Sequence, residues 1–355
     1  MNGIDQPSPG LLLVRADAGP TIGTGHVLRC LALAQAWRDA GGEVMLAAAE
    51  LPAPLAARWR VETANVVRIH ARRGTSSDAA ATRRIAAVEG AAWIVADGYD
   101  FSTDYLAHLH ETGTPVAVLD DMVHLERYPV DLVLNQNLSA TESAYRGKTA
   151  ETTRLLLGPK FSLLRREFRV LAAEPSRREL PARRVLVTFG GSDAENFTGR
   201  ILENLGRSAQ AAHEVVVLAG SANPHVDRLR AQAASLPFRC EVRVGVENVA
   251  EVMRWADAAI SAGGSTVWEL AAMRLPALIG VTGPDQHAGM SALAAVPFFR
   301  AQPIENWLAG DLARDLAHLP AAGTAVGGCD ALGAVRVVGA LLAPAGVPAT
   351  QGLRV

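Results

Sequence analysis

The chain has 355 residues, 49% of them hydrophobic and 20% charged, which supplies a sizeable apolar core and excludes a disordered or fibrous protein. Lys and Arg number 34 against 36 Asp and Glu, and a net charge of -2 advertises neither nucleic acid nor an anionic membrane as partner. The three cysteines, Cys30, Cys240 and Cys329, are odd in number and lack metal-ligand spacing, which removes a disulfide framework and a zinc site and fits a reducing cytoplasm.

Residues 1–10 hold Asp5 and two prolines ahead of the first apolar run, the reverse of a secretory leader, and read as a disordered tail. Leu11–Val14 is a run of strand length, followed by a glycine-rich turn and the helical spacing Val27, Leu28, Leu31, Ala34 and Trp37. The alternation recurs, with strands at Glu43–Ala48, Trp93–Ala96, Pro115–Leu119 and Asp131–Leu134. A second series starts at Arg184–Phe189, continues with a helix over Asn196–Leu205, and adds strands at Glu214–Ala219, Cys240–Val244, Ala258–Ser261 and Ala277–Val281. Between the two series Leu171–Arg183, with Pro175, Pro181 and clustered charges, reads as a linker. Strands alternating with helices predict parallel sheets covered on both faces. The expected division is an N-terminal domain over 11–170, the linker, a C-terminal domain over 184–305, and a helical segment and tail over 306–355. Two such units make a cleft, with ligand at the carboxyl ends of the strands. No apolar run reaches the ~20 residues that a membrane-spanning helix needs.

The motifs fall at those strand ends. Gly23-Thr24-Gly25-His26 stands where the first strand turns into a helix. The glycines permit a tight turn, and the open amides and dipole of a helix N-terminus favour an anion such as a diphosphate, although glycines serve any such turn. His26 at its mouth is either a general base near neutral pH or a polar helix-start residue bonded to backbone. Arg15 and Asp17 share a face by the two-residue period, as a local ion pair or with Asp17 orienting His26 or a water. Asp97-Gly98-Tyr99-Asp100 ends a later strand and offers the Tyr99 hydroxyl to a sugar or its ring to packing. Asp120 and Asp121 read as caps, since a metal would require a third ligand.

In the second series Gly190-Gly191-Ser192-Asp193 places backbone amides where a phosphate or a sugar can lie, with Asp193 equally a plain N-cap. In Ser261–Leu270 (SAGGSTVWEL) the hydroxyls of Ser265 and Thr266 suit a diphosphate, and Glu269 one turn on suits two ribose hydroxyls. The alternative is a cap at Ser265 or Thr266 answered by Glu269. Pro284-Asp285-Gln286-His287 closes the loop after the next strand with groups that reach a sugar. The other histidines show no ligand spacing, and neither a P-loop nor a Gly-x-Ser-x-Gly elbow is present; no metal or cofactor is expected.

Taken in order, Arg15-x-Asp17, Gly23-x-Gly25-His26-x-x-Arg29, Asp97-x-Tyr99, Phe161–Phe168 (FSLLRREF), Phe189–Asp193 and Ser261–Leu270 resemble one family. It is the family of UDP-sugar hydrolases of pseudaminic acid biosynthesis, which release UDP from UDP-2,4-diacetamido-2,4,6-trideoxy-β-L-altropyranose. The resemblance runs from about Leu12 to Gln286. That family is related to the UDP-GlcNAc transferase that makes lipid II. The resemblance implies an α/β fold of two Rossmann-like domains facing a cleft, the glycosyltransferase-B architecture. It implies that His26 activates water for cleavage of the C1–O bond with inversion, and that Tyr99 lies in the substrate pocket. It further implies that Val246 reads uracil through its backbone, that Ser265 and Thr266 hold the diphosphate, and that Glu269 holds the ribose. Two departures stand out: Asp285 precedes Gln286 where the family has Asn, and the C-terminal segment is longer.

The implied role is a cytoplasmic enzyme of nonulosonic acid biosynthesis and flagellin glycosylation, with a UDP-sugar as its partner and neither nucleic acid nor membrane insertion. The sequence sets no oligomeric state and is compatible with a monomer. A glycosyltransferase using the same base on an acceptor hydroxyl explains the same motifs. A non-catalytic nucleotide-sugar sensor needs the cleft but not the base.

Overall fold

The computed structural model describes residues 8–344 apart from 20, 63–64, 112, 175–177, 179–180, 208–213, 222, 283 and 322–327. The chain forms two compact units, Met1–Arg166 with Leu332–Val355, and Glu167–Ala331.

The first unit opens with β1 (Leu11–Ala16), α1 (Gly25–Asp39), β2 (Glu43–Ala48), α2 (Ala53–Glu62) and β3 (Asn65–Arg68). It continues with α3 (Ser76–Glu89), β4 (Ala91–Asp97), α4 (Thr103–His110), β5 (Val116–Leu119), β6 (Leu132–Asn135), α5 (Glu142–Tyr145) and β7 (Arg154–Leu157). The seven strands form one parallel sheet in the order β3-β2-β1-β4-β5-β6-β7. Its central strands are buried on both faces, which is why they read as unbroken apolar runs. The strand order reverses between β1 and β4, where Ala16 pairs with Asp97. That crevice is the usual ligand position of an open parallel sheet.

Helix α6 (Arg166–Ala172) starts at the last residue of this unit, where Arg166 is held by Asp39 at 2.7 Å and Glu62 at 3.2 Å. The second unit contains β8 (Arg184–Thr188), α7 (Phe197–Gly206), β9 (Glu214–Ala219), α8 (Val226–Ala234), β10 (Arg239–Val244) and α9 (Val249–Trp255). It is completed by β11 (Ala258–Ala262), α10 (Thr266–Ala272), β12 (Ala277–Val281), α11 (Pro284–Ala294), β13 (Phe299–Pro303), α12 (Ile304–Ala309) and α13 (Leu312–Ala317). Its six parallel strands run β10-β9-β8-β11-β12-β13, with the reversal between β8 and β11.

Three boundaries differ from the sequence expectation. Ser8–Gly10 are not part of a disordered tail: the Gly10 carbonyl accepts from Glu43 N and from Trp37 Nε1, each at 3.0 Å, while residues 1–7 lie outside the described residues. The change of unit falls inside α6, and Arg178 of the expected linker is anchored in the second unit, where its guanidinium donates to Met253 O at 3.1 Å and Met273 O at 2.6 Å. The stretch 306–355 is not one segment, because its last helix, α14 (Gly333–Leu342), belongs to the first unit. There Val337, Val338 and Leu341 share a core with Val27, Leu31 and Trp37, and Trp93 Nε1 donates to Leu341 O at 3.0 Å. With the sheet and α14 both contributing to that core, α1 is buried almost all round, its polar residues His26, Arg29 and Gln35 included. Among the described residues no helix is long and apolar enough to cross a membrane.

Candidate active site

The first unit builds its site at the reversal point. After β1 the chain makes a closed loop in which Gly19 and Gly23 pair in antiparallel fashion, Gly23 N to Gly19 O at 2.8 Å. Gly23 sits at φ 77°, a left-handed conformation that glycine adopts without steric cost. Thr24 precedes the helix without a side-chain cap, and His26 lies in the first turn of α1. Its imidazole is 7% exposed, and Nδ1 lies 2.6 Å from Asp97 Oδ1. A carboxylate opposite Nδ1 assigns the proton to that nitrogen and leaves Nε2 with a free lone pair.

Asp97 is fully buried at the end of β4 and receives three further donors. Arg29, one turn along α1 from His26, spans both carboxylate oxygens with Nε and Nη2 at 2.6 Å each, and Cys30 Sγ donates at 3.4 Å. Burial works to raise this carboxyl, but the charges and hydrogen bonds of Arg29 and His26 prevail and hold it well below the usual range. Burial keeps the Cys30 thiol protonated, and the adjacent Asp97 charge adds to that. The other edge of Arg29 meets Asp121, with Nη1 at 2.8 and 2.9 Å from the two oxygens. Burial opposes the guanidinium charge, yet Asp97 and Asp121 raise its pKa well above normal.

Tyr99, half exposed, donates to Asp121 Oδ2 at 3.0 Å and sets its ring edge-on to His26 with centroids 4.7 Å apart. Burial, then the Asp121 charge, raises its phenol above the ordinary value. The structure thus gathers His26, Asp97, Arg29, Asp121 and Tyr99 into one network.

Arg15 and Asp17 stand apart from it. Arg15 is fully buried, with Nε and Nη2 on Asp78 at 2.9 and 2.8 Å and Nη1 on Asp17 at 2.6 Å. Asp17 uses its other oxygen to hold Ala49 N and Glu50 N at 2.7 and 2.9 Å. Both side chains are spent on scaffold, so the ion-pair alternative describes them and the group orienting His26 is Asp97. Asp120 is the cap expected, accepting from Met122 N and Val123 N at 3.2 Å and from Tyr128 and Tyr145 at 2.8 and 2.7 Å. Asp121 is not a cap. Its place in the site is invisible from sequence, because nothing in residue spacing brings it to Arg29.

In the second unit, Thr188 pairs with Ser261, so the loops that follow β8 and β11 leave the sheet side by side. Gly190 has φ 81°. The Gly191 backbone lies so close to Gly220 that a Cβ there would meet Gly191 O at 2.1 Å. Asp193 accepts from Phe197 N at 2.8 Å and Thr198 N at 3.0 Å, and Asn196 from Gly199 N at 3.3 Å. The first-turn amides of α7 are therefore occupied; the N-cap is Asn196, and Asp193, three residues ahead of it, is not the N-cap but holds the two amides that follow Asn196. Burial raises its carboxyl, with the bonds from Thr198 and Phe197 acting against that.

Ser265, exposed, directly precedes α10 without making a side-chain cap bond, and Thr266 and Glu269, both partly buried, follow in its opening turns. Val246 is partly buried between β10 and α9. Asp285 and Gln286 fall in the first turn of α11, their side chains outside the described residues.

Comparison with known proteins agrees with this two-unit plan. Residues 184–296 match the glycosyltransferase family 28 C-terminal domain. The UDP-2,4-diacetamido-2,4,6-trideoxy-beta-L-altropyranose hydrolase of Campylobacter jejuni is 24% identical over 267 residues, covering 73% of this chain and 86% of that protein. The spore coat polysaccharide biosynthesis protein SpsG of Bacillus subtilis is 28% identical over 128 residues, covering 36% of this chain and 37% of its own length. An uncharacterized protein of Methanocaldococcus jannaschii is 24% identical over 192 residues, 52% of this chain; the match spans 39% of that protein. Among solved structures, MurG of Acinetobacter baumannii superposes over 94% of this chain and 98% of its own with TM-score 0.55 at 15% identity. The UDP complex of Staphylococcus aureus MnaA covers 93% and 95% with TM-score 0.61 at 11% identity. The chain has the fold of glycosyltransferase-B enzymes, two parallel-sheet Rossmann-like domains.

Proposed function

We propose that this protein is a nucleotide-sugar hydrolase that releases UDP from a UDP-linked 2,4-diacetamido-2,4,6-trideoxyhexose, a step of pseudaminic acid biosynthesis. The observation that carries the reading is the His26–Asp97 pair, a buried dyad at the reversal point of the sheet with Nε2 left over for chemistry. Nε2 takes a proton from water as the water oxygen bonds to C1 of the sugar. The bond between C1 and the diphosphate oxygen breaks on the opposite face, UDP leaves with the electron pair, and the anomeric configuration inverts. Asp97, kept ionised by Arg29, stabilises the imidazolium so formed. Ser265 and Thr266 are assigned to the diphosphate, Glu269 to the ribose and Val246 to uracil. The C. jejuni relative and the family 28 match over the second unit support UDP as the leaving group.

Transfer to an acceptor hydroxyl is the second reading, and the match of residues 184–296 to a glycosyltransferase family domain favours it. One experiment tests both: proton NMR of UDP-sugars in heavy-oxygen water without acceptor, with native protein and His26→Ala. Free sugar carrying heavy oxygen at C1, inverted, and formed by the native protein alone is the result expected of the hydrolase. A bound but intact UDP-sugar refutes hydrolysis and directs the search to an acceptor. Turnover by His26→Ala refutes the role of the base.

A further inference from the structure

The turn that brings Asp121 to the site after β5 contains a residue in a costly conformation. Val123 sits at φ 54°. The other non-glycine residues of positive φ among the described residues, Asp193, Asn196, Arg274 and Ala331, are unbranched at Cβ. A β-branched residue there is an outlier, and it persists only where its surroundings over-determine it. We infer that Lys148 is a positioning residue of the candidate active site, whose ammonium straps this turn in its left-handed form and thereby holds Asp121 against Arg29 and Tyr99. The inference rests on the reading of the His26 network as the reacting centre.

Val123 is tied at both ends. Its N–H donates to the Asp120 carboxylate at 3.1 Å, and its carbonyl accepts from Lys148 Nζ at 3.0 Å. The same ammonium donates to Leu125 O at 2.8 Å, so it spans the turn on both sides of His124, and a charged donor makes these bonds stronger than neutral ones. The strap is itself anchored: Lys148 N donates to Tyr145 O at 3.0 Å, and Tyr128 N donates to Lys148 O at 2.7 Å. Those two tyrosines also donate their hydroxyls to Asp120, at 2.8 and 2.7 Å. Burial, then the Asp120 charge, raises both phenols, which keeps them protonated as donors. Val123 and Leu125 pack against the core that contains Tyr128 and Tyr145, so the valine serves packing while the strap meets its conformational cost. Without the strap Val123 relaxes toward negative φ, and the rotation reaches Asp121 two residues earlier. The Asp121 carboxylate takes both bonds from Arg29 Nη1, at 2.8 and 2.9 Å, and the one from Tyr99 at 3.0 Å, so its displacement opens the side of the network opposite Asp97.

Lys148→Met keeps the stem and removes the donors, and kcat/KM for UDP release is expected to fall roughly 10- to 100-fold, the scale of a misplacement of about 1 Å. Glycine takes the left-handed conformation unaided. Val123→Gly added to Lys148→Met is therefore expected to restore kcat/KM to within about threefold of native, and Val123→Gly alone to stay in that range, each measured below its melt. A merely structural role for Lys148 requires the opposite, because the glycine also removes packing and would deepen the loss. A second readout needs no substrate. In ligand-free protein labelled at arginine, NMR is expected to show slowly exchanging Arg29 Nη1 protons, with Asp121→Asn marking the signal of the released guanidinium edge. Lys148→Met is expected to give the released signal and the double variant the native one. If Lys148→Met does not fold, Lys148→Gln, which lacks the charge, is measured under the same criteria. A native Arg29 signal in Lys148→Met, a kcat/KM within about twofold of native, or a double variant no better than Lys148→Met overturns the inference. A native protein that binds a UDP-sugar and leaves it intact overturns the hydrolase reading instead, and the Arg29 signal then decides for or against Lys148.

Discussion

Replacement of Asp97 by Asn removes the charge around which the first unit arranges its site, and its effect can be worked out in advance. Native Asp97 accepts two bonds from Arg29, one from His26 and a weaker one from Cys30, all without solvent. Removing one member of a buried ion pair costs about 3–5 kcal/mol. The amide keeps one acceptor oxygen and Asp121 still neutralises Arg29, which places Asp97→Asn near the lower end, about 3 kcal/mol. For a unit of this size that is a fall in Tm of roughly 6–12 °C by calorimetry at neutral pH. Activity falls by roughly 10²–10⁴, because an amide N–H facing Nδ1 selects the tautomer whose Nε2 carries the proton. The pH dependence has a definite sign. The folded carboxyl lies well below the unfolded value, so the unfolded chain binds the additional proton, and the stabilisation is complete above the unfolded pKa of about 3.9 and is lost as pH falls toward the folded one. The Tm gap between native and Asp97→Asn therefore narrows from about pH 5 downward. A variant melting within about 1 °C of native at neutral pH, or a gap of constant size down to about pH 3, refutes this account of the network.

Three further outcomes follow from contacts outside the dyad. Arg15→Lys keeps the charge but loses the two-point grip on Asp78, and is expected to lower Tm by roughly 5–10 °C while leaving KM for the UDP-sugar unchanged below the melt; a raised KM with native Tm would place Arg15 in the substrate site. Gly220→Ala puts a methyl against the backbone of Gly191, so equilibrium denaturation is expected to show a loss of about 1–3 kcal/mol, and an unchanged midpoint would mean that the Gly190–Ser192 turn is freely displaced. Gly333→Ala meets Ser162 O at 2.2 Å and is expected to loosen α14, read as faster amide exchange over Val337–Leu341; native protection there would show that the helix seats without that close approach.

What the residues disclosed follows burial. Glu43–Ala48, Glu214–Ala219 and Ala277–Val281 were bounded correctly because strands covered on both faces are unbroken apolar runs, here behind a leading glutamate in the first two. Asn65–Arg68 and Phe299–Pro303 carried no such signal, being half-buried sheet edges of mixed polarity, and Arg154–Leu157, the far edge of the first sheet, offers only three leucines behind an arginine. His26 was legible beside its glycines, but its partner Asp97 stands 71 positions away, and only the pairing of β1 with β4 brings the two together. Arg15 and Asp17 were legible as neighbours but not as buried scaffold, since that depends on Asp78 from a distant helix.

The return of α14 to the first unit bears on how the chain is made. A ribosome delivers the second unit, Glu167–Ala331, as one uninterrupted stretch, free to fold as soon as it emerges. The first unit has no such freedom. Until Gly333–Leu342 is synthesised, the apolar face of α1 that α14 covers, Leu31 and Trp37 included, stays open to water or to a chaperone. The first unit is thus finished only after the second has been made, and the dyad it carries is secured only once α14 has joined it.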